Sequence, residues 1–257
     1  MARRPLISDP RRGVHLPDSV RRLLLPQVDP LTNLFLVLPL FVVYHLGVVL
    51  LMERGPDGQF RWVGNGVDFL TGTALTLAGG NVLVYAGVSV GVTALLAGLI
   101  VRARRHAKLS PRLFVPVLIE SAVYALLMAI SVGSVVSSLG LGVLDANGLA
   151  AKWIASAGAG LHEELVFRMG LFHGTGYLLA RRMRPWAGWL VAAALSSFAF
   201  SAMHYLGPLG DPLRLSSFVF RLLLGVVLAG VYKARGFAIA AWTHTLYDVM
   251  YFTLRGH

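Results

Sequence analysis

The sequence predicts an all-α, polytopic transmembrane helix bundle of about seven spans, and three observations carry the prediction. Hydrophobic residues make up 56% of the 257 and charged residues only 14%, where a soluble domain carries about 25% charge. The mean hydropathy is +0.68, and apolar runs of about 20 residues, enough to cross a bilayer, recur along the chain. Basic residues gather in alternate connections between those runs, the pattern of the positive-inside rule.

The elements follow in order. Residues 1–30 hold six Arg (Arg3, Arg4, Arg11, Arg12, Arg21 and Arg22) and five Pro, with only the short 23–25 leucine run, too brief for a secretory signal. They read as a basic cytoplasmic N-terminal arm, either lying on an anionic leaflet or disordered. Residues 31–257 read as one bundle with spans at 31–52, 82–101, 113–133, 149–179, 186–205, 217–232 and 237–254. The half-apolar stretch 62–80, with Asn65 and Asp68, reads as re-entrant or interfacial, or as an eighth span. Arg102, Arg104, Arg105, Lys108 and Arg112 follow the second span; Arg181, Arg182 and Arg184 follow the fourth; Lys233 and Arg235 follow the sixth. This alternation puts the N-terminus in the cytoplasm and the C-terminus outside, in a plasma (inner) membrane. An eighth span would break it. Gly170 and Gly174, in GxxxG spacing, and Ala187, Ala192, Ala193 and Ala194 suit close helix crossings.

Composition also excludes functions. The net charge of +11 lies in short clusters between apolar runs, which points to the bilayer as partner and not to nucleic acid. Cysteine is absent, so there is no thiol nucleophile, disulfide or thiolate metal site.

The ionisable residues inside the apolar runs carry the functional signal, because each costs roughly 2.5–3.5 kcal/mol at mid-bilayer. Glu163, Glu164 and Arg168 lie in one run, 11 to 16 residues beyond Lys152. Glu164 and Arg168, at i,i+4, can pair on one helical face. Glu163 is turned about 100° away on an α-helix. Glu164 and Arg168 are therefore expected to support the structure and Glu163 to be available for chemistry. A single Glu–Arg pair would equally well fix helix register; the second carboxylate, left without its own cation, tips the balance. Phe200 and His204 stand at i,i+4 in the fifth span, and His244 and Asp248 at i,i+4 in the seventh. A lone His on an apolar helix is most often structural. Convergence of three such helices gives a carboxylate and two imidazoles around one cavity, able to activate water and stabilise an oxyanion or to bind a metal.

Other chemistries fit less well. His162-Glu163 begins an HExxH frame, but Val166 stands where its second His belongs. Ser156, Ser196, Ser197 and Ser201 lie in no GxSxG frame. Glu120, in the third span, is expected outside the site, as a partner for Arg221 or a lining residue. On straight α-helices the depths disagree: Glu163 is about 16 Å from Lys152, His244 about 10 Å from its own helix start, and His204 near a helix end. A common site needs tilted, unequal or broken helices.

In order, the motifs read EExxxR (Glu163 to Arg168), FxxxH (Phe200 to His204) and HxxxD (His244 to Asp248). Residues 115–254 that carry them resemble the CPBP family of CAAX proteases and bacteriocin-processing enzymes, also called the ABI family. The resemblance implies a multi-helix membrane endopeptidase acting on membrane-embedded or lipid-associated peptides; eukaryotic members remove the last three residues of prenylated CAAX proteins. It implies that Glu163 and His204 activate water and that His244 and Asp248 stabilise the oxyanion or complete a metal site. Glu164, Arg168 and Phe200 would be supporting residues. The mechanism would be glutamate- or metal-dependent, with Zn2+ or another divalent metal on Glu163, His204 and His244. CAAX-processing members typically carry Asn where this chain has Asp248, so the implication is peptidase activity in general before strict CAAX processing. The competing expectations are an ion- or proton-coupled transporter and an immunity or interaction protein that keeps the fold without turnover.

Overall fold

The computed structural model describes residues 28–54, 60–61, 69–105, 109–137, 148–206 and 210–255. Nearly all of the expected arm, residues 1–27, and residues 62–68 of the expected re-entrant stretch lie outside the described residues. Among the described residues the chain forms eight helices: α1 (Pro30–Leu51), α2 (Phe69–Leu77), α3 (Val82–Ala103), α4 (Phe114–Ser137), α5, α6 (Pro185–Met203), α7 (Leu215–Arg235) and α8 (Phe237–Arg255). Helix α5 runs through three contiguous segments, Leu149–Gly158, Ala159–His173 and Gly174–Ala180. A two-residue antiparallel pairing joins Glu53–Arg54 to Phe60–Arg61. All seven expected spans fall on helices. The nine residues of α2 cover about 14 Å, less than half a bilayer core.

Helices α1, α3, α6 and α7, and α4 with the turn before it (Pro111–Val132), are long and apolar enough to cross a membrane. Helices α5 and α8 are not among these five, because they carry the polar side chains of the three-motif region. Helix α1 starts on Asp29, whose carboxylate accepts from Thr32 N–H at 2.9 Å and from Thr32 Oγ at 2.7 Å. Burial presses the Asp29 carboxyl upward, but its hydrogen bonds with Thr32 and the neighbouring backbone outweigh that and hold it below its usual range. Asn81 caps α3 through the N–H groups of Leu83 and Val84.

Helix α8 is the axis of the bundle. Ala238, Ile239, Ala240 and Ala241 are completely buried at its start. That start is fastened from two sides. Ala238 N–H donates to Asn33 Oδ1 (2.9 Å) and Trp242 Nε1–H to the Leu36 carbonyl (2.8 Å), both on α1, while Ser121 Oγ on α4 donates to the Ile239 carbonyl. Gly236 alone separates α7 from α8, with φ at +93°, a conformation that favours glycine.

Two expectations need correction. Gly170 is exposed, and nothing packs within 4 Å of a Cβ built on Gly174, so this GxxxG is not a crossing point. The close approaches lie elsewhere on α5: Gly158 against Tyr44, Gly176 against Trp189, and Gly160, where a Cβ would come within 2.6 Å of the Ala241 carbonyl on α8. Glu120 pairs with Arg235, not Arg221, through Nη2–Oε2 at 2.7 Å and a second bond from Nε to Oε1. The reason is topological. Glu120 lies near the start of α4 and Arg235 at the end of the antiparallel α7, whereas Arg221 is 14 residues, about 21 Å, back along α7.

Candidate active site

The three motifs meet because α5 changes its backbone pattern. Over Ala159–His173 it hydrogen-bonds as a π-helix, i to i+5. The wider turn narrows the angle between successive side chains, and the bare face of Gly160 lets α5 close onto α8. Glu163 and Glu164 thus both reach the same imidazole. His244 Nδ1–H donates to Glu164 Oε1 at 2.9 Å, and His244 Nε2 stands 3.9 Å from Glu163 Oε2 and 3.7 Å from Asp248 Oδ2. Glu163 thus sits in a π segment and His204 just past the end of α6, both departures from the straight α-helices on which the depths disagreed.

Arg168 lies 3.2 Å through Nε from Glu164 Oε2, as the i,i+4 spacing predicts, and both side chains are completely buried. Its guanidinium lies over the Phe200 ring, 4.3 Å from the centroid. The same ring packs edge-on against His204 and His244, at centroid distances of 5.0 and 5.9 Å. Phe200 is therefore the apolar floor on which the cation and both imidazoles rest.

His204 Nδ1 bonds the Phe200 carbonyl at 2.8 Å. A carbonyl only accepts, so Nδ1 carries the hydrogen, and in the neutral ring Nε2 keeps its lone pair. That Nε2 faces Glu163 Oε2 at 4.0 Å. One carboxylate oxygen therefore looks at two imidazole nitrogens, 3.9 and 4.0 Å away. These separations exceed a direct hydrogen bond of about 2.7–3.2 Å and match polar groups bridged by water. Around a zinc with bonds of about 2.0–2.1 Å, tetrahedral ligands stand only about 3.3 Å apart. No group of three His, Asp or Glu side chains among the described residues is gathered for a metal. The separations of Glu163 from His204 and His244 are wider than shared ligation to one zinc and are compatible with a bridging water.

The remaining candidates separate from the cluster. His162 turns away from Glu163 and packs against Tyr44 and His45, with centroids 5.1 and 5.3 Å apart. Ser156 Oγ and Ser201 Oγ donate to the carbonyls of Lys152 and Phe218. Two residues the sequence reading did not assign to the site stand beside it. Arg221 on α7 pairs with Asp211, Nη2 to Oδ2 at 2.5 Å, and the Asp211 N–H donates to the His204 carbonyl at 2.9 Å. An arginine inside the apolar run 217–232 was the available signal; Asp211 lies outside every apolar run and gave none.

Residues 145–250 match the family described as type II CAAX prenyl endopeptidase Rce1-like. The match begins just before α5, ends within α8 and contains all three motifs; α1 to α4 fall outside it. Over this part of the chain the similarity to the CAAX-protease family is shown. No curated protein and no solved structure matches the chain.

Proposed function

We propose that the chain is an intramembrane endopeptidase that hydrolyses peptide bonds of membrane-associated proteins or peptides, with water activated by Glu163 together with His204. The observation that supports this most is the approach of one Glu163 oxygen to the Nε2 atoms of both His204 and His244, at 4.0 and 3.9 Å, inside a largely buried cluster.

The chemistry follows from the donors and acceptors. Ionised Glu163 accepts one proton of the bridging water, and the His204 Nε2 lone pair accepts a hydrogen bond from the other. The water oxygen attacks the carbonyl carbon. His244, protonated on both nitrogens, gives Nδ1–H to Glu164 and Nε2–H to the developing oxyanion. Glu163 then hands its proton to the amide nitrogen as the C–N bond breaks, releasing an amine and a carboxylic acid that keeps the second water proton until it ionises in solvent. Arg168 offsets the charge of Glu164, which fixes the ring of His244. Ionised Asp248 has no hydrogen to donate and acts on His244 as a nearby negative charge.

The description of the matched family supports a lipid-anchored, CAAX-like substrate reached from the bilayer. We assign catalysis to residues 115–254 and a basic arm to residues 1–30. The alternation of basic connections supports a cytoplasmic N-terminus in a plasma (inner) membrane. The test is cleavage of a quenched, prenylated CAAX reporter peptide by the full chain in phospholipid vesicles. Glu163→Gln and His204→Ala should fold and lose about 10²- to 10⁴-fold in rate. Cleavage unchanged in both folded variants would sink the reading, and proton or cation flux through the same vesicles would favour the transporter.

A further inference from the structure

We infer that Arg221 is a further catalytic residue of this site, donating an Nη1–H to the carbonyl oxygen of the bond being cleaved, and that Asp211 is its positioning residue; this rests on the endopeptidase reading. The guanidinium is held at two points, each itself anchored. Nη2 is bound to the Asp211 carboxylate, whose backbone is anchored to the carbonyl of His204. The plane lies 5.2 Å from the Tyr205 ring centroid, and Tyr205 is itself fixed by donating its hydroxyl to Ser217 Oγ at 2.9 Å.

The inward direction follows from its neighbours on α7. Phe218, one turn before, accepts from Ser201 of α6. Leu224 and Leu228, one and two turns after, pack in the core with Phe200 and Tyr247. Gly225 touches Ser197. Arg221 lies on the same face, and its partner Asp211 is bonded through the backbone to His204, which sets the guanidinium beside that end of the cluster. What remains is Nη1, buried and without a hydrogen-bond partner among the described residues. A buried, unpaired cationic donor is costly unless something arrives to accept from it.

The chemistry needs such a donor. Of the motif residues facing the water gap, only His244 can donate to an oxyanion, since ionised Asp248 and Glu163 have nothing to give. Arg221 keeps its protons under all working conditions and adds a second, preorganised N–H. No proton moves in this step. The carbonyl π pair becomes the oxyanion, is stabilised by His244 and Arg221, and reforms the C=O as the amine leaves with the Glu163 proton.

The experiment is steady-state kinetics of the full chain in phospholipid vesicles with the prenylated CAAX reporter. Arg221→Gln should lower kcat by about 10²- to 10³-fold with KM little changed. Asp211→Asn should lower kcat by about tenfold, because it loosens the donor without removing it. Added guanidinium should restore part of the rate to Arg221→Ala, which a residue with a merely structural role would not allow. A folded Arg221→Gln with kcat within about twofold of wild type, or an Arg221→Ala loss that guanidinium does not recover, overturns the inference. Glu163→Gln in the same vesicles keeps the two readings apart. If it is inactive while Arg221→Gln is fully active, only the Arg221 role fails. If it is as active as wild type, the endopeptidase mechanism fails as well.

Discussion

Two charged groups in this bundle, one partly exposed and one buried, are built in opposite ways. Glu120 and Arg235 form a closed, bidentate pair in which both carboxylate oxygens meet guanidinium nitrogens. Around Glu163 the contacts are open: 3.9 and 4.0 Å to two imidazoles, with buried polar atoms of Glu164, Arg168 and Arg221 left without hydrogen-bond partners among the described residues. A pair whose bonding capacity is used up fixes the packing of α4 against α7. The cluster around Glu163 is held by looser contacts, and on the proposed reading that looseness is what a reacting water would use.

The widest separation between the two groups should come from matched carboxylate-to-amide changes. Glu163→Gln should cost about 10²- to 10⁴-fold in cleavage with little change in thermal unfolding. Glu120→Gln should leave cleavage near wild type and destabilise the bundle by about 1–3 kcal/mol. Equal losses of activity in both would erase the distinction. Arg168→Gln is the intermediate case, since it strips a completely buried carboxylate of its cation. It should destabilise by about 3–5 kcal/mol and also release His244, so that unfolding and kcat shift together; loss of rate without loss of stability would assign Arg168 to the chemistry directly.

Smaller effects sharpen the same contrast. Gly160→Val would push a side chain into the Ala241 carbonyl and should cost about 1–3 kcal/mol, with cleavage falling as α5 lifts from α8; unaltered kinetics would mean that the close contact does not set the site geometry. The smallest effect belongs to Asp29, which caps α1 and takes part in neither group. Its folded-state pKa is lowered, so its cap contributes fully above the unfolded carboxylate pKa of about 3.9 and is lost as pH falls through the lower folded value. In an acid melt, Asp29→Ala, costing about 1 kcal/mol at neutral pH, should converge with wild type below about pH 3. A constant gap would show that the cap acts through something other than its charge.

Much of this was legible in the sequence because it is local. Apolar runs of spanning length predicted the helices, and the i,i+4 spacing predicted the pairing of Glu164 with Arg168. What was not legible depends on backbone geometry or on which ends of the bundle meet. Depths counted on a 3.6-residue turn set Glu163 and His244 apart, and nothing in the residue pattern announces the π segment in which Glu163 lies. GxxxG spacing drew attention to Gly170 and Gly174, while the close contact fell on Gly160, identifiable only once α8 lay against it. The partner of Glu120 was misread because Arg221 and Arg235 lie on one helix and only chain direction chooses between them. Asp211 sits in a polar connection, where an acid draws no notice.

Burial is graded along α8. Its first turn, with Ala238 to Ala241, is sealed; His244 is nearly so; Asp248 retains 20% exposure and Thr253 is exposed. The sealed end is also the end fastened to α1 and α4, so a larger side chain at Ala238 to Ala241 has nowhere to go, whereas one at the Asp248 end meets a surface that is still partly open.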